Sequence, residues 1–225
     1  MSSRRNKSWW RLGALTLAAC GLLVAPAAAE GGHLPGFSVA DQKVAIKDLP
    51  EAFAFTFDGI PGAKGTGLPH VGKGPVWFGE VQRPKASILV AGNRRWACVS
   101  EVKSEDGAGG DSCTTDAGAR EYGLLDIGAC GKGTPRHFRV VGLVPDGFTA
   151  MQIEKLGGGG GRTVPVIENT FAFTIGRENI VLQGSGDPAA EEFERTLPLA
   201  QAAKHFGPNE GGCSTYIFAE AKKPN

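Results

Sequence analysis

Past Val24 the 225-residue chain holds no apolar run of the roughly 20 residues that a bilayer span needs. It also lacks any long block of one charge sign, so the basic stripe of a nucleic-acid footprint is missing. No Cys-x-x-Cys pair occurs. The four histidines (His33, His70, His137 and His205) stand far apart, and none belongs to a His-Glu-x-x-His motif. These absences argue against a zinc site and a zinc hydrolase helix. Aromatic residues make up 8%, charged residues 21% and the apolar set 41%. Those values exclude a coiled coil, a collagen repeat and a fully disordered chain. What the sequence has in excess is glycine. Its 34 glycines and 14 prolines are about a fifth of the chain, as in a domain with many turns.

The first 29 residues read as a signal peptide. Arg4, Arg5, Lys7 and Arg11 form a basic head, and Leu12 to Val24 is an apolar run too short to span. Ala27, Ala28 and Ala29 then supply the small residues of a cleavage site before Glu30. A competing address is Leu17-Ala18-Ala19-Cys20-Gly21, which looks like a bacterial lipobox with Cys20 as the acylated residue. Cleavage after Ala29 leaves 20 basic against 23 acidic residues, a net charge of −3. The chain is expected to be secreted or held in the cell envelope, with a lipid anchor through Cys20 as the alternative.

Four cysteines remain in the mature chain: Cys98, Cys113, Cys130 and Cys213. An even number in an exported chain reads as two disulfides, with three possible pairings. Cys98–Cys113 with Cys130–Cys213 is favoured, because the first pair brackets a polar, glycine-rich excursion as two strand ends would. Residues 30–50 read as a tether and 51–225 as a single β domain. Phe53, Phe55 and Phe57 alternate with Ala54 and Thr56, the period of a strand. A glycine- and proline-rich loop follows over 59–75. Strands are expected at 76–81, 86–91 and 94–102, with a tight turn at Gly92-Asn93. Residues 103–119 read as an exposed loop, and 120–127 resumes an extended pattern.

Between 137 and 183 the alternation is clear. Phe138 with Val140, Met151 with Ile153, Val164 with Val166, then Phe171, Phe173 and Ile175, and finally Ile180 with Leu182 each share a face. Turn signals separate them at Val144-Pro145-Asp146-Gly147, Gly157 to Gly161 and Glu168-Asn169, which predicts an antiparallel meander. Asp187-Pro188 opens a helix expected over 188–206, with a break at Pro198 and a stop at Gly207-Pro208. A last strand covers 213–219. The fold class is therefore all-β: a mainly antiparallel β-sandwich with one short C-terminal helical segment.

Tests for chemistry return little. Gly67 to Lys73 matches seven positions of a phosphate-binding loop, but Gly74 replaces the Ser or Thr and Pro75 leads into a strand. Ser185, His205 and Asp187 form a triad on paper only, since triads are defined by geometry. Glu105, Asp106, Asp111 and Asp116 cluster in one loop, without the spacing of a calcium-binding hand. Trp77 and Trp96 each sit in an apolar strand and are expected in the core. Arg94-Arg95-Trp96 and Arg136-His137-Phe138-Arg139 read as strand edges with solvated charges, or as a modest patch for docking anions. The sequence thus predicts no catalytic residue, no cofactor and no metal.

The run Val141-Gly142-Leu143-Val144-Pro145-Asp146-Gly147, then Val164-Pro165-Val166 and Asn169-Thr170-Phe171-Ala172-Phe173, resembles the meander of uncharacterised exported β-rich envelope proteins of high-GC bacteria. In those proteins a cysteine-bracketed glycine loop often precedes the meander, as Cys98 to Cys113 does here. The resemblance covers roughly residues 95–175. It implies an envelope or secreted β domain and brings no activity, cofactor or catalytic residue. The expected function is a non-catalytic binding or structural module with an envelope or extracellular partner. The alternatives are a secreted hydrolase whose site assembles only in three dimensions, and a Cys20-acylated lipoprotein of an envelope complex.

Overall fold

The computed structural model describes residues 32–53, 76–103, 111–187, 193–205 and 209–218. Its strands form three antiparallel sheets. Sheet I runs in the order β1 (Gln42–Val44), β2 (Val76–Arg83), β3 (Ala86–Gly92), β4 (Trp96–Lys103), β5 (Asp111–Thr115). Sheet II is β10 (Thr170–Ile175), β7 (Phe138–Leu143), β6 (Leu124–Gly133), β13 (Asn209–Phe218). Sheet III is β12 (Glu194–Leu197), β11 (Ile180–Gly186), β8 (Phe148–Lys155), β9 (Arg162–Pro165).

Strand periodicity explains how the sheets stack. On β7, Phe138 and Val140 join one buried cluster with Met151, Ile153, Ile180 and Leu182 of sheet III. The alternate residues Val141 and Leu143 join a second cluster with Val81, Val90 and Val99 of sheet I. Successive side chains of a strand point to opposite faces, so sheet II is buried on both. The all-β antiparallel sandwich expected from the sequence is present, with a third layer added. The outer face of sheet I carries its own cluster, in which Leu49 and Phe53 pack on Leu89, Ala91 and Cys98.

The meander needs correction. β7 pairs with β6 and β10, and β8 pairs with β9 and β11. The turn at 144–147 therefore carries the chain from sheet II to sheet III, and the reversal at Glu168-Asn169 returns it. Glycine and proline report that a chain turns, but a hairpin and a crossover share those residues. The shared faces named above are all present: Phe171, Phe173 and Ile175 lie in the cluster between sheets II and III, with Val164 and Val166 packed against it.

Two helical expectations also change. Residues 194–197 lie in β12, paired with β11 from Ile180↔Leu197 to Gln183↔Glu194. Phe193, Arg195 and Leu197 are buried on alternate positions, so packing on the sheet outweighs the helix preference of Glu194, Arg195 and Leu197. The C-terminal helix is α2 (Leu199–His205), starting after Pro198, and Asn179 Oδ1 accepts the Ala200 amide at 3.0 Å. Residues 188–192 and Gly207-Pro208 lie outside the described residues. Conversely, α1 (Asp116–Tyr122) stands where the end of a loop and the start of an extended stretch were expected. Thr115 caps it by accepting the Gly118 amide at 3.1 Å, Asp116 pairs with Arg120 one turn on, and Gly123 ends it at φ 66°.

The stretch expected as a tether is part of the fold. Leu34, Phe37 and Ala40 are fully buried, and Gln42–Val44 is the edge strand β1. This strap lies so close to β2 that a Cβ on Gly79 would stand 1.9 Å from the Val39 carbonyl oxygen. Ser38 and Val39 donate to Asn169 Oδ1 at 3.1 and 3.0 Å, and the Ser38 amide donates to Asp146 Oδ1 at 2.9 Å. Phe53, expected to open a strand, is buried in a helical turn over 51–53. Phe55, Phe57 and the loop at 59–75 lie outside the described residues.

Candidate functional site

The cysteines settle into sheet edges. Cys98 and Cys113 face each other across β4 and β5 with Cα atoms 4.1 Å apart, and they are disulfide-bonded. Cys130 is also disulfide-bonded, and the residue opposite it on β13 is Cys213. In this order β5 is one of the two outermost strands of sheet I and β13 one of the two of sheet II. Each cysteine pair thus stands where an outermost strand meets its inner neighbour.

The residues weighed for catalysis and metal binding are distributed as follows. Ser185 lies on β11, where its carbonyl accepts from Thr149 Oγ1 at 3.2 Å, and the Asp187 amide donates to the Gly147 carbonyl. The His205 side chain and residues 67–74 lie outside the described residues, as do Glu105, Asp106 and the side chain of Asp111. Asp116 is buried and holds Arg120 at 2.6 Å. Among the described residues, no group of three or more His, Cys, Asp and Glu side chains gathers as a metal site. Trp77 and Trp96 are half-buried against the clusters on the two faces of sheet I, and Lys43 Nζ sits 5.3 Å from the Trp77 ring centre.

The two arginine patches part company. Arg94 and Arg95 are exposed on the turn before β4, where Asn93 Oδ1 accepts the Arg95 and Trp96 amides. Arg139 turns toward sheet I, and its Nε lies 3.0 Å from both Glu101 carboxylate oxygens. Arg136 and His137 remain exposed at the start of β7 and border an open concavity of about 630 Å³ with Gly176, Arg177 and Glu178. A second concavity of about 200 Å³ adjoins it, sharing Gly176 and Glu178 and bordered by Lys155, Gly160 and Arg162.

The fold explains this convergence. Residues 176–179 carry the chain from β10 in sheet II to β11 in sheet III, so the turn stands at the mouth between the two sheets. Lys155 ends β8 and Arg162 begins β9, the two sides of one hairpin. Arg162 reaches across to sheet II, donating to the Thr174 carbonyl at 2.6 Å with its guanidinium 5.2 Å from the Phe173 ring centre. Arg177 donates through Nε to the Pro135 carbonyl at 2.5 Å and through a terminal nitrogen to the Thr134 carbonyl at 3.1 Å. Both guanidinium groups are thus anchored by neutral carbonyls, which hold their geometry without neutralising their charge.

One carboxylate sits among these cations. Glu178 accepts Lys155 Nζ at 3.0 Å. Its own backbone N–H, then Lys155, hold its pKa below the ordinary glutamate value, so it is ionised at neutral pH. The hairpin tip beside it is Gly157 to Gly161. Gly157, Gly158, Gly159 and Gly160 have φ of 106°, 89°, 100° and 51°, and a Cβ on any of them would meet nothing within 4 Å. Backbone conformation, rather than crowding, therefore calls for glycine there.

The sequence pointed to Arg136 and His137 and missed Lys155, Arg162, Arg177 and Glu178. Lys155 and Arg162 stand at the ends of β8 and β9, and Arg177-Glu178 lies in the turn after β10, so only the crossing between sheets brings the four together. No family model, no curated protein and no solved structure matches this chain.

Proposed function

We propose that the chain is an exported, extracytoplasmic binding module that takes an anionic ligand in the concavity around the 176–179 turn. One observation carries this reading: Arg136, Lys155, Arg162 and Arg177 meet there against Glu178 alone among the residues bordering the two hollows. A mature chain with a net charge of −3 would thus concentrate positive charge at one place. Such a place draws anions by focusing their approach, and it does so less as salt rises. Export is supported by the disulfide-bonded Cys98 and Cys113. No helix among the described residues is long and apolar enough to cross a membrane.

The ligand test is retention on immobilised dextran sulfate at low ionic strength. The protein is expected to bind, to elute with salt, and to lose binding in Arg136→Glu/Arg177→Glu, which should stay folded with a Tm lowered only by the lost Arg177 bonds to Pro135 and Thr134. Arg94→Glu/Arg95→Glu serves as the control and should bind normally. Absence of binding, or equal loss in the control, removes the concavity as the site. The export test is the intact mass of the protein recovered from outside the cytoplasm. A start at Glu30, with a gain of about four mass units on reduction, is expected for two disulfides. A start at Cys20 with acyl chains makes the module a tethered lipoprotein.

A further inference from the structure

We infer that the ligand is a hydroxyl-bearing anionic polysaccharide, in which carboxylates alternate with hydroxyl groups, rather than a uniformly charged polyanion. This inference rests on the proposal that the concavity binds anions. Glu178 belongs to both hollows, with Lys155 and Arg162 on one side and Arg136 and Arg177 on the other. Glu178 is thus the acceptor common to two hollows that are otherwise bordered by cations.

Glu178 is set by its own turn and by Lys155. Its carboxylate folds back onto its own turn, where a Cβ on Gly176 would fall 2.4 Å from Oε2. Glycine at 176 is what lets the carboxylate lie there. Lys155 occupies Oε1, and an ionised carboxylate offers further lone pairs as an acceptor. A ligand segment lying over Glu178 must bring a donor. A hydroxyl group fits that place, whereas a second anion there meets like charge. Sugar rings carrying a carboxylate and free hydroxyls provide both kinds of group at every unit. A polymer with an anion at each position does not.

The experiment compares polygalacturonate with polyacrylate by titration calorimetry of the full mature protein at one ionic strength, per carboxylate. Polyacrylate carries its charges more densely and no hydroxyls, so charge alone favours polyacrylate. The expected result is at least about ten-fold tighter binding of polygalacturonate. Glu178→Met, which removes the acceptor at similar size, and Gly176→Ala should each erase that preference while retaining binding to polyacrylate. The second variant keeps every charge and only displaces the carboxylate, a flexible group that can move. Polyacrylate binding as well as or better than polygalacturonate, or a preference unchanged in both variants, overturns the inference and leaves the anion site standing. Binding of neither polymer overturns the anion site itself. Binding only to vesicles containing phosphatidylglycerol overturns the polysaccharide in favour of a lipid surface.

Discussion

The two faces of sheet II are packed in different ways. Toward sheet III the contact is built from large apolar side chains, among them Phe138, Phe171, Met151 and Leu182, and Arg195 enters against Tyr122 and Phe193. Toward sheet I the apolar cluster is interrupted by charge and hydroxyl groups. Arg139 is paired with Glu101, Ser112 Oγ donates to Asp126 at 2.9 Å, and Arg83 donates to the Thr170 carbonyl at 2.9 Å. Burial, and then the like charge of Arg139, lower the Arg83 pKa, and its buried Nε has no hydrogen-bond partner. Apolar burial is large and indifferent to direction, whereas hydrogen bonds and ion pairs contribute less net energy and demand one geometry. The face toward sheet III holds the layers together. The face toward sheet I also fixes how they align.

Truncation should separate the two most sharply. Phe171→Ala, at a fully buried ring between sheets II and III, is expected to cost about 3–5 kcal/mol in urea unfolding. A cost below about 1 kcal/mol would show that the cluster does not dominate. On the other face, Glu101→Ala strands Arg139, which is about one-third exposed, so a loss of about 1–3 kcal/mol is expected. Glu101→Leu with Arg139→Met should recover most of it, because a pair replaced together leaves no orphaned charge. If the double variant were as unstable as the single one, the pair would be contributing net energy and not only alignment.

The strap gives smaller effects. Asn169→Gly keeps the φ of 63° without strain and loses the bonds to Ser38 and Val39, at about 1–2 kcal/mol. Hydrogen exchange should rise at 34–40 and not in β8 or β11. Asn169→Ala adds left-handed strain and should cost more. The smallest effect is one of pH. Burial raises the Asp146 carboxyl, but hydrogen bonds from Asn169 and Ser38 outweigh it, so its pKa lies below the ordinary 3.8. The ionised form therefore favours the docked strap. That contribution is complete above about pH 4 and disappears as pH falls through the folded value. Exchange of the Ser38 amide should accelerate there in the wild type and show no such step in Asp146→Asn.

The alternation of Phe138 with Val140 and of Phe171 with Phe173 made strands and buried faces readable, because period two is local. Sheet membership was not readable, because Val144 to Gly147 spells a turn whether the chain returns to its own sheet or leaves it. The helix 116–122 was hidden by its glycine and short length, although Thr115 and Gly123 are an N-cap and a C-terminal stop. The strap escaped for the opposite reason: Leu34, Phe37 and Val39 show no clean period, and their partners lie on β2 and at Asn169. The candidate site was half readable. Arg136-His137 adjoin in sequence, whereas Lys155, Arg162 and Arg177 meet only through the crossing.

The strap also sets an order in time. A chain leaving a ribosome or a membrane pore N-terminus first presents Ser38 and Val39 long before their hydrogen-bond acceptor exists. Ser38 and Val39 bond to a residue about 130 positions later. Until Asn169 emerges, Leu34, Phe37 and Val39 can pack only on the earlier members of their cluster, and the bonds that pin Ser38 and Val39 are missing. A residue from the far half of the domain thus completes the docking of its earliest part.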